Sequence, residues 1–142
     1  MITITCYIDT LHRDELMRLW ESVFAYDAAH NRPGLAIDKK LAVADELLFV
    51  ALFEGRVVGS VMAGYDGHRG WLYSVAVAAG QQQKGLGSAL VRHAEGALAQ
   101  RGCMKINLQI RGGNEAVTAF YESLGYVIEP RVSMGKLLAQ NF

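Results

Sequence analysis

Hydrophobic and polar positions recur along this chain with two periods, and the switches between them predict its elements. Residues Ile2 to Tyr7 alternate and are β-branched, the pattern of a first strand. After Asp9 or Thr10 as N-cap, Leu16, Leu19, Trp20, Val23 and Phe24 fall at helical spacing. Residues 25–33 are polar and irregular, and a short second helix follows over 36–44. The apolar run 47–53 reads as a buried strand, Glu54-Gly55-Arg56 as a turn and 57–65 as the next strand, together a hairpin. A tight turn at 66–70 leads to a fourth strand over 71–77. Leu86, Ala89, Leu90, Ala94, Ala97 and Leu98 then share one helical face, which Arg101-Gly102 closes with a cation and a glycine. Met104, Ile106, Leu108 and Ile110 alternate with Lys105, Asn107 and Gln109, a fifth strand with one polar face. Val117, Phe120, Tyr121 and Leu124 mark a last helix ended by Gly125, and 131–138 reads as a terminal strand. This order predicts a mixed α/β sheet.

Length and charge narrow the function classes. At 142 residues the chain fits one domain over 1–142. Fourteen basic and 14 acidic residues give zero formal net charge, which lacks the broad electrostatic footprint of a nucleic-acid or anionic-membrane binder. The longest apolar stretch, about seven residues from Leu47 to Phe53, is far short of the ~20 that span a bilayer. No basic, then apolar, signal segment opens the chain, so a cytoplasmic location is expected. Cys6 and Cys103 form no CxxC and no Cys/His ligand spacing, so no metal is expected, and both read as small buried hydrophobes.

Glycine changes the picture more. It makes up 15 of 142 residues, and seven of these lie between Gly80 and Gly113. The segment from Val75 to Ser88 passes from a strand into a helix N-terminus through Gly80, Gly85 and Gly87, with Lys84 beside them. First-turn N–H groups lack internal partners and, with the helix dipole, favour an anion, so the loop reads as a pyrophosphate cradle. Gly80 and Gly85 have the spacing of a Walker A loop, but Leu86-Gly87 stands where Lys-Ser/Thr is required. Gly85-Leu86-Gly87 opens like a dinucleotide fingerprint, but Leu90 occupies the third glycine position and Arg111 follows the next strand where an acid belongs.

Gln82-x-x-Gly85-x-Gly87, placed after a strand, resembles the first motif of the GNAT N-acetyltransferases. Asn114, with Tyr121 seven residues on and then Glu122-Ser123-Leu124-Gly125-Tyr126, resembles the second, N-x-x-A-x-x-x-Y-x-x-x-G-F/Y. Val117 replaces the usual Ala, and Gln82-Gln83 replaces the commoner Arg-Gly. Residues 64–70 and Arg101-Gly102-Cys103 are further similar to the bacterial YpeA-type subgroup of that family.

The resemblance implies a mostly antiparallel sheet of six to seven strands, with helices on both faces and a splay between strands four and five. It implies acetyl-CoA as cosubstrate, an amine acceptor, and no nucleic-acid or membrane partner; homodimers are common in the family. Val75 and Val77 would pair with pantetheine through their backbones, and Gln82, Gln83, Lys84, Gly85, Leu86, Gly87 and Ser88 would hold the pyrophosphate. Tyr121 stands at the family's general acid, a phenol positioned to protonate the departing thiolate. Asn114 stands where the family contacts CoA or caps the last helix. Relatives that acetylate protein N-termini carry a fifth-strand Glu, and Gln109 matches that position, with Asp66, His68 and Tyr73 as alternative bases. Phe24, Tyr26, Asp27 and His30 lie where the family shapes its acceptor pocket, while His12, His30 and His93 read otherwise as surface residues. The alternative to an enzyme is an acyl-CoA-binding regulatory protein on the same fold, a reading that Gln109 favours and Tyr121 disfavours.

Overall fold

The computed structural model describes residues 1–24 and 32–138, in two compact units that meet in sequence between Asn107 and Leu108. The first unit holds a five-stranded sheet in the order β1 (Ile2–Cys6), β2 (Leu48–Phe53), β3 (Arg56–Tyr65), β4 (Gly70–Val77) and β5 (Ile106–Asn107). Its first three pairings are antiparallel and the last is parallel. The hairpin turn Glu54-Gly55 has positive φ at both positions (52° and 77°), the type I′ geometry that suits strand twist.

Alternation along β2 and β3 sends neighbouring residues to opposite faces. Helix α1 (Asp9–Val23) buries His12, Leu16, Leu19 and Trp20, spaced as one helical face, and α2 (Pro33–Val43) adds Ile37. These pack with Tyr7, Leu48, Val50 and Ala76 into one core. Fully burying side chains of this size contributes ~1.5–3 kcal/mol each. On the other face α3 (Leu86–Gln100) buries Leu86, Leu90, Val91, Ala94 and Leu98. A Cβ on Gly59 would lie 2.9 Å from Leu90 Cδ1 and 3.2 Å from the Ala76 carbonyl, so glycine lets α3 approach the sheet.

The start of the first helix, one histidine and both cysteines depart from the readings made of them. Helix α1 begins after Ile8, not Asp9 or Thr10, and the Ile8 N–H donates to Nδ1 of His12 at 2.9 Å. That contact buries His12, expected at the surface, to 5% exposure. His93 is exposed, as expected, although its ring packs edge-on against Phe49 with centroids 4.6 Å apart. Neither cysteine is a buried hydrophobe: Cys6 is exposed, its thiol turned to the Glu46 carbonyl, and Cys103 is half-buried.

The second unit holds α4 (Glu115–Ser123), capped by Asn114. Residues 131–138, read as a strand, form none, and among the described residues the sheet has five strands rather than six or seven. An alternating pattern supplies a face but no ladder partner: Val132 and Met134 are 89% and 91% exposed. The fifth strand is shorter than expected for the same reason, and Met104 is exposed.

Candidate active site

Strand β4 changes character along its length. Its first residues pair on both sides, with β3 and, through Gly70↔Ile106 and Trp71↔Asn107, with β5. Beyond Trp71 the β5 ladder stops while the β3 ladder continues to Val77. Between Ser60↔Ala76 and Met62↔Tyr73 the register shifts by one, so β4 carries one extra residue there. Ser74 takes a positive φ of 52° at that bulge, unusual for a residue with a side chain.

The bulge reverses which edge each backbone group faces. The Gly70 N–H donates to Lys105, away from β3, whereas the Ala78 N–H, eight residues on, donates to Val58 of β3. In a regular strand residues an even number apart face the same edge. After the bulge, therefore, Ala76 and Ala78 turn to β3, and Val75 and Val77 turn their backbone groups to the edge beyond it. The Val77 carbonyl accepts from Nε2 of Gln82 at 3.1 Å, which ties the glycine loop to the strand end.

That loop runs through a 3-10 turn (Ala79–Gln81) into α3. Gln83 and Gly85 have positive φ (63° and 82°) and Lys84 between them does not, the alternation that turns successive N–H groups into an anion-binding concavity. Gly85 is the N-cap of α3, with no side-chain cap and open space where a Cβ would stand. Leu86 is buried and anchors the first turn, while Gln82, Gln83 and Lys84 are exposed and Gly87 and Ser88 partly so. The arrangement fits a phosphate-bearing ligand whose extended amide arm lies along β4.

In the second unit, Asn114 Oδ1 accepts from the Val117 N–H at 3.3 Å, a helix cap. Tyr121 is 8% exposed, between the rings of Phe120 (4.9 Å) and Tyr126 (5.6 Å). Burial pushes its hydroxyl up to about 12, so it keeps its proton at neutral pH. Gln109 belongs to no strand, since β5 ends at Asn107; it is exposed and its Nε2 donates to Ser133 Oγ.

The alternative bases occupy ordinary places. Asp66 Oδ1 accepts from the Arg69 and His68 N–H groups (2.7 and 2.8 Å), which hold its carboxyl below the usual range and commit it to the turn. Tyr73 is half-exposed on β4, its hydroxyl pushed up by burial and by Asp66. Phe24 packs against the α1 core, and Tyr26, Asp27 and His30 lie outside the described residues. Ser60 and Ser74 were not singled out by sequence. The signal for Ser60 was a lone hydroxyl in an apolar strand run; Ser74 acts through its backbone and left none.

A mixed sheet with a bulged strand beside a glycine-lined helix N-terminus is the architecture that comparison with known proteins assigns to the acetyltransferases. The chain belongs to the Acetyltransferase (GNAT) family, which matches residues 11–126. It is 40% identical over 129 residues to Acetyltransferase SG1711 of Sodalis glossinidius (strain morsitans), covering 90% of each chain. Among solved structures it resembles the ribosomal-protein-S18-alanine N-acetyltransferase from Escherichia coli, with TM-score 0.71, 26% identity, and coverage of 88% of this chain and 77% of that one. The fold also matches AAC(6')-Iy in complex with a CoA-based bisubstrate analogue, with TM-score 0.77, 17% identity, and coverage of 98% and 99%. The protein is an acyltransferase. Among the described residues no helix is long and apolar enough to cross a membrane.

Proposed function

We propose that this protein moves an acetyl group from acetyl-CoA to a primary amine by direct attack of the amine on the thioester, its 142 residues acting as one domain. The observation that carries this reading is the β4 edge at Val75 and Val77, which leads through the Ala79–Gln81 turn into the loop over 82–88 and is tied to it by the Gln82 side chain. Strand addition would hold the pantetheine amides on that edge. The cradle's N–H groups and Lys84 would hold the pyrophosphate. Acetyl-CoA would supply the activated acyl carbonyl.

Tyr121 is the proton donor in this reading, a role taken from the family motif it completes. Its hydroxyl stays neutral across physiological pH and gives its proton to the sulfur as the nitrogen–carbon bond forms and the carbon–sulfur bond breaks; the proton lost by the acylated amine, passed through solvent, restores the phenol. Gln109 accepts no proton at neutral pH; as a neutral amide it would orient the attacking amine or a water through Oε1.

The absence of a carboxylate at Gln109 favours one other reading, an acyl-CoA-binding regulator with no turnover. Purified protein, acetyl-CoA and a panel of small amines and N-terminal peptides distinguish the two by thiol release. Release with any amine supports the transferase. Acetyl-CoA binding by calorimetry with no release across the panel would support the regulator.

A further inference from the structure

Ser60 is fully buried in β3 among apolar neighbours, an expensive place for a hydroxyl unless it is hydrogen-bonded. It is satisfied twice. Oγ accepts from Trp20 Nε1 at 2.8 Å and donates to the Ser74 carbonyl at 2.8 Å. Trp20 is itself 1% exposed in the α1 core. The relay therefore runs from the helix layer, through the sheet, to the carbonyl of the one β4 residue in the left-handed region.

The Ser74 carbonyl, bound by a side chain on the sheet face, is drawn away from the direction of a regular ladder bond, although its oxygen keeps a second lone pair. Pulling it out of the strand line favours the bulge over a regular strand. The bulge in turn decides that Val75 and Val77, rather than Ala76, present backbone groups at the open edge.

We propose that Ser60, oriented by Trp20, is a positioning residue for acyl transfer, because its hydroxyl fixes the Ser74 bulge and with it the phase of the β4 edge. The inference rests on that edge being the acetyl-CoA site. A shift of the thioester by about 1 Å is enough to cost ~10²-fold in rate, so a loosened bulge lowers kcat as well as raising KM.

The test compares Ser60→Ala, Ser60→Thr and Trp20→Phe in the full chain by amide exchange and kinetics. In the unaltered protein the Ala76 and Ala78 amides exchange slowly, while those of Val75 and Val77 exchange quickly and gain protection on adding acetyl-CoA. In Ser60→Ala that contrast collapses, KM for acetyl-CoA rises at least about threefold and kcat falls at least about tenfold. Ser60→Thr, which keeps the hydroxyl, restores the contrast. Trp20→Phe leaves Ser60 its carbonyl and shows a smaller change in the same direction, and it carries the test if Ser60→Ala does not fold.

A folded Ser60→Ala with the original exchange contrast and with kcat and KM within about twofold would overturn the proposal; so would Trp20→Phe behaving identically to the unaltered protein. If Val75 and Val77 gain no protection from bound acetyl-CoA, the edge reading fails by itself, and a collapse of contrast in Ser60→Ala still assigns the bulge to Ser60.

Discussion

In the proposed transfer, the β4 edge with its loop and the α4 helix would do different work with different parts of the chain. The first offers backbone: N–H and C=O groups of Val75 and Val77, and the uncapped first turn of α3 after Gly85. The second offers a side chain, the hydroxyl of the buried Tyr121. Backbone recognition tolerates most substitutions that keep the strand and the turn, and is damaged by bulk or charge that blocks the approach to it. Side-chain chemistry can be lost with a single oxygen atom and no change in shape. The two regions should therefore fail in separable ways.

The largest effect is expected from Tyr121→Phe. The ring is kept, so stability changes by less than about 1.5 kcal/mol, while loss of a general acid lowers kcat by ~10²–10⁴-fold. Acetyl-CoA affinity from calorimetry stays near its original value. Full turnover in the variant would reduce Tyr121 to a packing residue.

Gly87→Asp should do the reverse. It sets a Cβ and a negative charge in the first turn of α3, opposing a pyrophosphate twice over. Affinity for acetyl-CoA falls at least about tenfold, ~1.4 kcal/mol, with the thermal transition retained. An unchanged dissociation constant removes the loop from the site.

Asn114→Ala sharpens the comparison within the second region. Loss of its bond to the Val117 N–H costs ~1 kcal/mol of stability, typical of a missing N-cap. Unchanged acetyl-CoA affinity in that variant means Asn114 only caps α4, whereas a weakened affinity gives it a cofactor contact as well.

The smallest effect is on the alkaline side. Tyr121 has a folded value of about 12 against an unfolded value near 10, so the native state holds this proton more tightly. Its contribution is complete below about pH 10 and is lost as pH rises towards 12. Tyr7 and Tyr73 are raised in the same direction. Thermal transitions measured from pH 9 to 11 should fall with pH, and more shallowly in Tyr121→Phe. An identical slope in that variant would mean Tyr121 ionises alike in both states.

Local periodicity recovered the elements whose partners are strong. The apolar run 47–53, the hairpin at Glu54-Gly55 and the face Leu86, Leu90, Ala94 and Leu98 all appear close to their expected bounds. It overextended the fifth strand and added a terminal one, because alternation at Met104 or Val132 states which face is apolar and not whether another strand pairs with it. The same blindness put His12 at the surface: a polar side chain accepting a backbone N–H four residues back leaves no mark in composition.

The sequence by itself determined the glycine-rich turn into α3, the capped last helix with its tyrosine and the hydrophobic faces of the helices, since each depends on residues near one another in the chain. Only the tertiary structure decided the direction of the β4 edge. That direction turns on one extra residue opposite β3 and on a hydroxyl at Ser60, reached from Trp20 forty residues earlier and reaching Ser74 fourteen residues later. A bulge changes the count by one, and strand alternation converts that single residue into a reversal of every backbone group that follows.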